Sequence, residues 1–170
     1  MVARYLVAQD GLSDLVGRSI AWLTLVMVGA LMWEIVARYF FGSPTIWAHE
    51  LSTMLYGTFC ILAGSYTLRH GAHVRSEVVY GLMPEWLKAL CDLIVFGLLM
   101  LVLAVFLDMA IGFAAESWAA REYSARSIWQ PPLYPFKTVI PVAVALLMLQ
   151  VLAEIVRAGL RLAGRPITED

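Results

Sequence analysis

Four apolar blocks contain no Asp, Glu, Lys or Arg: Ser19–Trp33, Leu51–Leu68, Leu93–Leu107 and Thr138–Ala153. Each is 15 to 18 residues long with tolerant flanks, so each can reach the roughly 20 residues that an α-helix needs to cross a bilayer. The rest of the composition agrees. Of 170 residues, 61% are hydrophobic and 15% charged, whereas a soluble domain is about half apolar and a quarter charged. Four crossings leave only short ends and three connections, with no room for a separate soluble catalytic domain. The expected fold is all-α and integral to the membrane: four transmembrane helices in a mainly antiparallel bundle, plus a short interfacial amphipathic helix. Residues 1–170 form a single membrane domain in this reading, with spans over about 18–41, 47–69, 86–118 and 134–160.

The basic residues are unevenly distributed. Arg4, Arg18, Arg69, Arg75, Lys88, Arg157, Arg161 and Arg165 fall on one side of these spans; Arg121, Arg126 and Lys137 fall on the other, with Arg38 at the border. Basic residues mark the cytoplasmic side, so both termini and the middle loop are expected there. Met1–Gly17 carries Asp10 and Asp14 and has no small-residue cleavage pattern. It reads as a retained cytoplasmic end rather than a removed signal peptide. The first helix is expected to begin at Ser13 or Arg18 and end at Phe41.

The border between the first two blocks holds the densest chemistry. Glu34 and Arg38 are four residues apart, which stacks them on one helix face in the favourable order. Gly42-Ser43-Pro44 is strong turn chemistry, and a hairpin through it brings Glu50 back towards their level. Tyr39, Phe40, Phe41 and Trp47 suit an aromatic belt at the outer interface. Glu34, Arg38, Trp47 and Glu50 are therefore the candidate structural and intersubunit cluster. Further on, Gly57 and Gly64 share a helix face that another helix can approach closely. Val74, Val78 and Leu82 give 74–83 an amphipathic pattern suited to the interface. Pro84-Glu85-Trp86 starts a helix that can run to near Arg121, about 55 Å, with Asp92 and Asp108 bracketing its uncharged centre. The double Pro131-Pro132 interrupts regular structure before the last helix, which tolerates Pro141 near its start.

Catalytic and cofactor chemistry finds little support. His49 stands at the opposite end of helix two from His70 and His73, about 30 Å away by helical rise, which does not suit a haem held between histidines. Cys60 and Cys91 form no CxxC pair. Motifs such as GxSxG and HExxH are absent. Glu34, Arg38, Glu50, Asp92, Asp108 and Glu154 could form an ion path, or could pair structurally within the bundle or with a second membrane protein. Most lie near helix ends, where snorkelling lowers the cost of charge. No broken span and no inverted repeat point to a substrate site in this chain. No enzyme activity, cofactor, metal or nucleic-acid partner is expected. The alternatives are a stand-alone four-helix membrane redox or haem protein and an autonomous small transporter.

Several segments, in order, resemble one family. They are Arg38-Tyr-Phe-Phe, Pro44, Trp47 and Glu50 at the first hairpin, Gly64 late in helix two, Gly71-Ala72-His73-Val74-Arg75-Ser76-Glu77, and Ser127-Ile128-Trp129-Gln130-Pro131-Pro132 before helix four. Together they resemble the small membrane subunit, of DctQ type, of tripartite ATP-independent periplasmic (TRAP) transporters. Glu77 stands where Asp is common in that pattern and keeps the charge. The resemblance implies a scaffold in the bacterial inner membrane, in contact with lipids and with a large multi-span transport subunit. That large subunit would carry the substrate and Na⁺ sites. A periplasmic binding protein would deliver a small solute, often a carboxylate, in ion-gradient-driven transport. It further implies that His73, Arg75 and Glu77 fix the cytoplasmic turn, and that Arg121, Arg126 and Trp129 are candidates for docking the periplasmic binding protein.

Overall fold

The computed structural model of the chain describes residues 2–69 and 84–163. Within them lie four helices, α1 (Val2–Phe40), α2 (Ala48–Arg69), α3 (Glu85–Ala120) and α4 (Tyr134–Leu162). All four are long and apolar enough to cross a membrane. No strand occurs among the described residues; one isolated bridge joins Tyr123 and Pro132. The chain is thus an all-α membrane protein. His73, Arg75, Glu77 and the expected interfacial helix over 74–83 lie outside the described residues.

The helices pack in a definite order. α4 is central, against α3 on one side and α2 on the other, and α1 leans on α2 and more lightly on α4. A buried apolar cluster fills the α3–α4 seam: Phe96 and Leu103 meet Val144 and Val151, and Leu68 closes it from α2. Among helices in lipid, close van der Waals fit replaces the hydrophobic drive, so small residues set the contacts. Ala110 and Ala114 of α3 and Ala143, Ala153 and Ala158 of α4 are buried accordingly. Gly57 and Gly64 do form an approach face on α2. A Cβ on Gly57 would lie 3.2 Å from the Phe136 ring, and one on Gly64 would lie 3.9 Å from Leu147.

α1 differs most from expectation. It begins at Val2, not at Ser13 or Arg18, and runs unbroken for 39 residues. Two features account for the early start. Gly17 sits so close to α2 that an added Cβ would fall 2.3 Å from the Tyr66 ring. Ahead of it, the polar residues Gln9 and Ser13 are buried: the first turns of α1 pack their polar face on α4.

α3 and α4 are joined by an ordered loop. Arg121 adopts the left-handed conformation, φ 45°, while its N–H donates to the Trp118 carbonyl and that of Glu122 to the Ser117 carbonyl. This pair of bonds satisfies the last carbonyls of α3, with Arg121 in the position where Gly is commonest. Ser124 N–H donates to Pro131 O and Leu133 N–H to Glu122 O, both at 2.9 Å. The prolines thus end one side of a narrow hairpin instead of dissolving the segment.

Candidate functional site

The α1–α2 and α3–α4 connections meet at one end of the bundle, here the loop end. Gly42, with φ 59°, turns the chain out of α1, and Ser43 N–H reaches the Ala37 carbonyl at 3.0 Å. That turn places Thr45 beneath Glu34. Glu34 Oε1 accepts from Arg38 Nε at 3.0 Å and Nη2 at 2.5 Å. Its Oε2 accepts from Thr45 N–H at 2.8 Å and from the Thr45 hydroxyl. Glu34 is buried and the Arg38 side chain is 57% exposed, so the carboxylate is the pivot and the guanidinium reaches outward. One carboxylate oxygen faces Arg38 on α1 and the other faces Thr45, which ties the end of α1 to the connection leading into α2 by charge-assisted bonds.

Glu50 does not join that cluster. Its Oε2 accepts from the Ser127 hydroxyl of the α3–α4 loop. Trp47 stands half-buried between the two carboxylates in sequence, with its carbonyl accepting the Leu51 N–H at 2.9 Å. The four residues grouped by sequence therefore divide. Glu34 and Arg38 act with Thr45, Glu50 acts with Ser127, and Trp47 supports the first turn of α2. Ser127 and Thr45 carried little signal of their own, because hydroxyl partners depend on how the connections fold back.

A third carboxylate holds the hairpin loop. Glu122 Oε2 accepts from the Ser117 hydroxyl at 2.8 Å and from Lys137 Nζ at the start of α4. The Lys137 ammonium, followed by the Ser117 hydroxyl, holds the Glu122 carboxyl below the usual carboxylate range. Lys137 Nζ also lies 4.0 Å from the Phe113 ring centroid, a cation–π contact. Nearby, Trp118 Nε1 donates to Thr138 Oγ1 at 2.8 Å, and the Trp118 ring lies 4.6 Å from that of Tyr134. Arg121, Arg126 and Trp129 are all exposed on this same loop region. Of the three, Arg126 lines an open cleft together with His49, Glu50, Phe113 and Lys137, and Arg121 and Trp129 do not.

The opposite, terminal end carries its own polar contacts. Arg157 Nη2 donates to Asp10 at 2.5 Å and Nη1 to Glu154 at 2.5 Å. Ser13 Oγ donates to Gln150 Oε1 at 2.9 Å in a fully buried contact, and Tyr5 OH donates to the Leu149 carbonyl at 3.0 Å. Arg161 reaches Asp92 at 3.5 Å. Glu154 and Arg157 are three apart in sequence, but nothing local marks Asp10 as the third member of that group or Ser13 as the partner of Gln150. The available signal was Gln150, an amide inside an otherwise apolar block, which needs a partner when buried. Among the described residues, no three His, Cys, Asp or Glu side chains gather as metal ligands would.

Comparison with known proteins bears on this arrangement. Residues 27–160 match the family described as "Tripartite ATP-independent periplasmic transporters, DctQ component". The chain is similar to the sialic acid TRAP transporter permease protein SiaT of Haemophilus influenzae (strain 86-028NP), 29% identical over 89 residues. It is also similar to the sialic acid TRAP transporter small permease protein SiaQ of Vibrio cholerae serotype O1 (strain ATCC 39315 / El Tor Inaba N16961), 24% identical over 63 residues. The matched stretches cover 52% of this chain and 14% of the first relative, and 37% of this chain and 36% of the second.

Proposed function

The chain belongs to the DctQ component family of tripartite ATP-independent periplasmic transporters, and we propose that this small transporter subunit works as a scaffold for a large permease subunit. It is a transporter component rather than an enzyme. The observation that carries the scaffold reading is where its polar groups are used. Glu34, Glu50 and Glu122 tie elements together at the loop end, and Arg157 does so at the terminal end. A subunit that bound solute itself would need such groups converging on a site near mid-membrane. Here they fix the two ends of the bundle.

The terminal end faces the cytoplasm of a bacterium's inner membrane in this reading, following its excess of basic residues. The loop end then faces the periplasm, where Arg121, Arg126 and Trp129 offer exposed cationic and aromatic groups to a solute-binding protein with acidic patches. Solute and Na⁺ bind the large subunit, the ion gradient drives transport, and the solute is a small carboxylate. Reconstitution tests the division of labour. This chain alone in proteoliposomes gives no uptake, and uptake appears when the large subunit and binding protein are added. Uptake by this chain alone would overturn the scaffold. Arg126→Glu should weaken binding-protein stimulation while leaving the membrane complex intact.

A further inference from the structure

α3 is the edge helix. Its buried residues, including Phe96, Leu103, Ala110, Ala114 and Ser117, recur at spacings of three, four and seven and form the seam with α4. Asp108 is exposed and points elsewhere. At about 100° per residue it is rotated by about 140° from Leu103 and about 160° from Ala110, which puts it on the face turned away from α4. Its exposed surroundings are apolar, with Leu101, Val105 and Met109 at 63%, 57% and 66% exposure.

Asp108 is also deep. It lies twelve residues, about 18 Å, along the helix from Ala120, and about 7.5 Å below Phe113, the ring that meets Lys137. No hydrogen bond or ion pair with another described residue holds it. The helix-borne carboxylates of Asp10, Glu34 and Asp92 each have an arginine partner. A carboxylate facing hydrocarbon without a partner is costly, and such groups pair with a cation or donor. The space around Asp108 suits a helix. Gly97, Ala104 and Gly112 lie within about 40° of it on the wheel, and a Cβ on Gly97 or Gly112 would meet nothing within 4 Å.

We propose that the Asp108 face of α3 is the surface on which a transmembrane helix of the large permease subunit docks, presenting an Arg or Lys to the Asp108 carboxylate. Charge complementarity selects that occupant, and the small residues beside Asp108 let its backbone come close. The proposal rests on the scaffold reading above.

The test uses the complex of this chain with its large permease subunit. A photo-crosslinking amino acid at Ala104 or Gly112 gives an adduct with the large subunit, whereas one at Val102, exposed on a different face of α3, does not. Asp108→Asn lowers the amount of co-purifying large subunit by about tenfold, the scale of one interhelical polar contact, and Asp108→Glu restores it. Adducts from Ala104 and Gly112 only with lipid, or only with a second copy of this chain, overturn the proposal, as does an Asn variant that assembles normally. Should the Asn variant fail to fold, the crosslinks in the unaltered Asp108 background decide. A wild-type chain that co-purifies with the large subunit but crosslinks through Val102 sinks the surface and spares the scaffold. A wild-type chain that never associates with a large subunit sinks both.

Discussion

Single carboxylates do the joining at the loop end, and each does it with a hydroxyl beside it. Glu34 was legible as a site because an i, i+4 pair can be read directly from sequence. Its second partner Thr45, eleven residues on, was not, because that bond exists only once Gly42 has turned the chain. Glu122 gives a testable pH dependence. Lys137 and Ser117 hold its folded pKa below the ordinary value. The unfolded loop therefore binds a proton at higher pH than the folded one. Stabilisation from this contact is complete above the ordinary carboxylate value and is lost as pH falls through the lower folded value. Hydrogen exchange across 121–133 should accelerate below about pH 4, near the ordinary carboxylate range. Glu122→Gln should exchange fast at every pH and abolish the transition; a transition persisting in that variant would assign it to another group.

Helix existence was legible from the four uncharged blocks, because a bilayer demands contiguous apolar length. Helix rotation and helix ends were not. α1 extends to Val2 since its early polar residues find Gln150, Leu149 and Arg157 on α4, a match between segments more than a hundred residues apart. Gly11 and Gly17 both lower intrinsic helix propensity in this stretch. Tertiary packing overrides that penalty at Gly17, where the missing side chain admits the Tyr66 ring. Gly17→Ala would raise intrinsic helix propensity yet force two helices apart. The expected result is a net loss of about 1–3 kcal/mol in detergent unfolding, with Gly11→Ala, where a Cβ has open space, neutral or stabilising. Equal stabilisation by both substitutions would show that α1 does not rest on α2 at that point.

At the scale of the whole molecule, the bundle is fastened at two ends with an apolar seam between. The proposed scaffold role calls for both fastenings, since a helix held at one end only can splay at the other. Arg157 is 13% exposed and serves Asp10 and Glu154 together. Arg157→Met removes their shared cation and leaves buried charge behind, at a cost of about 3–5 kcal/mol. Ser127→Ala removes one hydroxyl donor from Glu50 at the far end and should cost less, about 1 kcal/mol. Because the two sites share no contacts, their effects should add to within about 0.5 kcal/mol. Hydrogen exchange should localise them, with residues 2–17 opening in Arg157→Met and residues 121–133 opening in Ser127→Ala. A double variant far less stable than the sum would mean that the ends act as one unit through the α3–α4 seam. In that case a perturbation at the loop end could be felt at the terminal end, and the subunit would transmit strain rather than merely resist it.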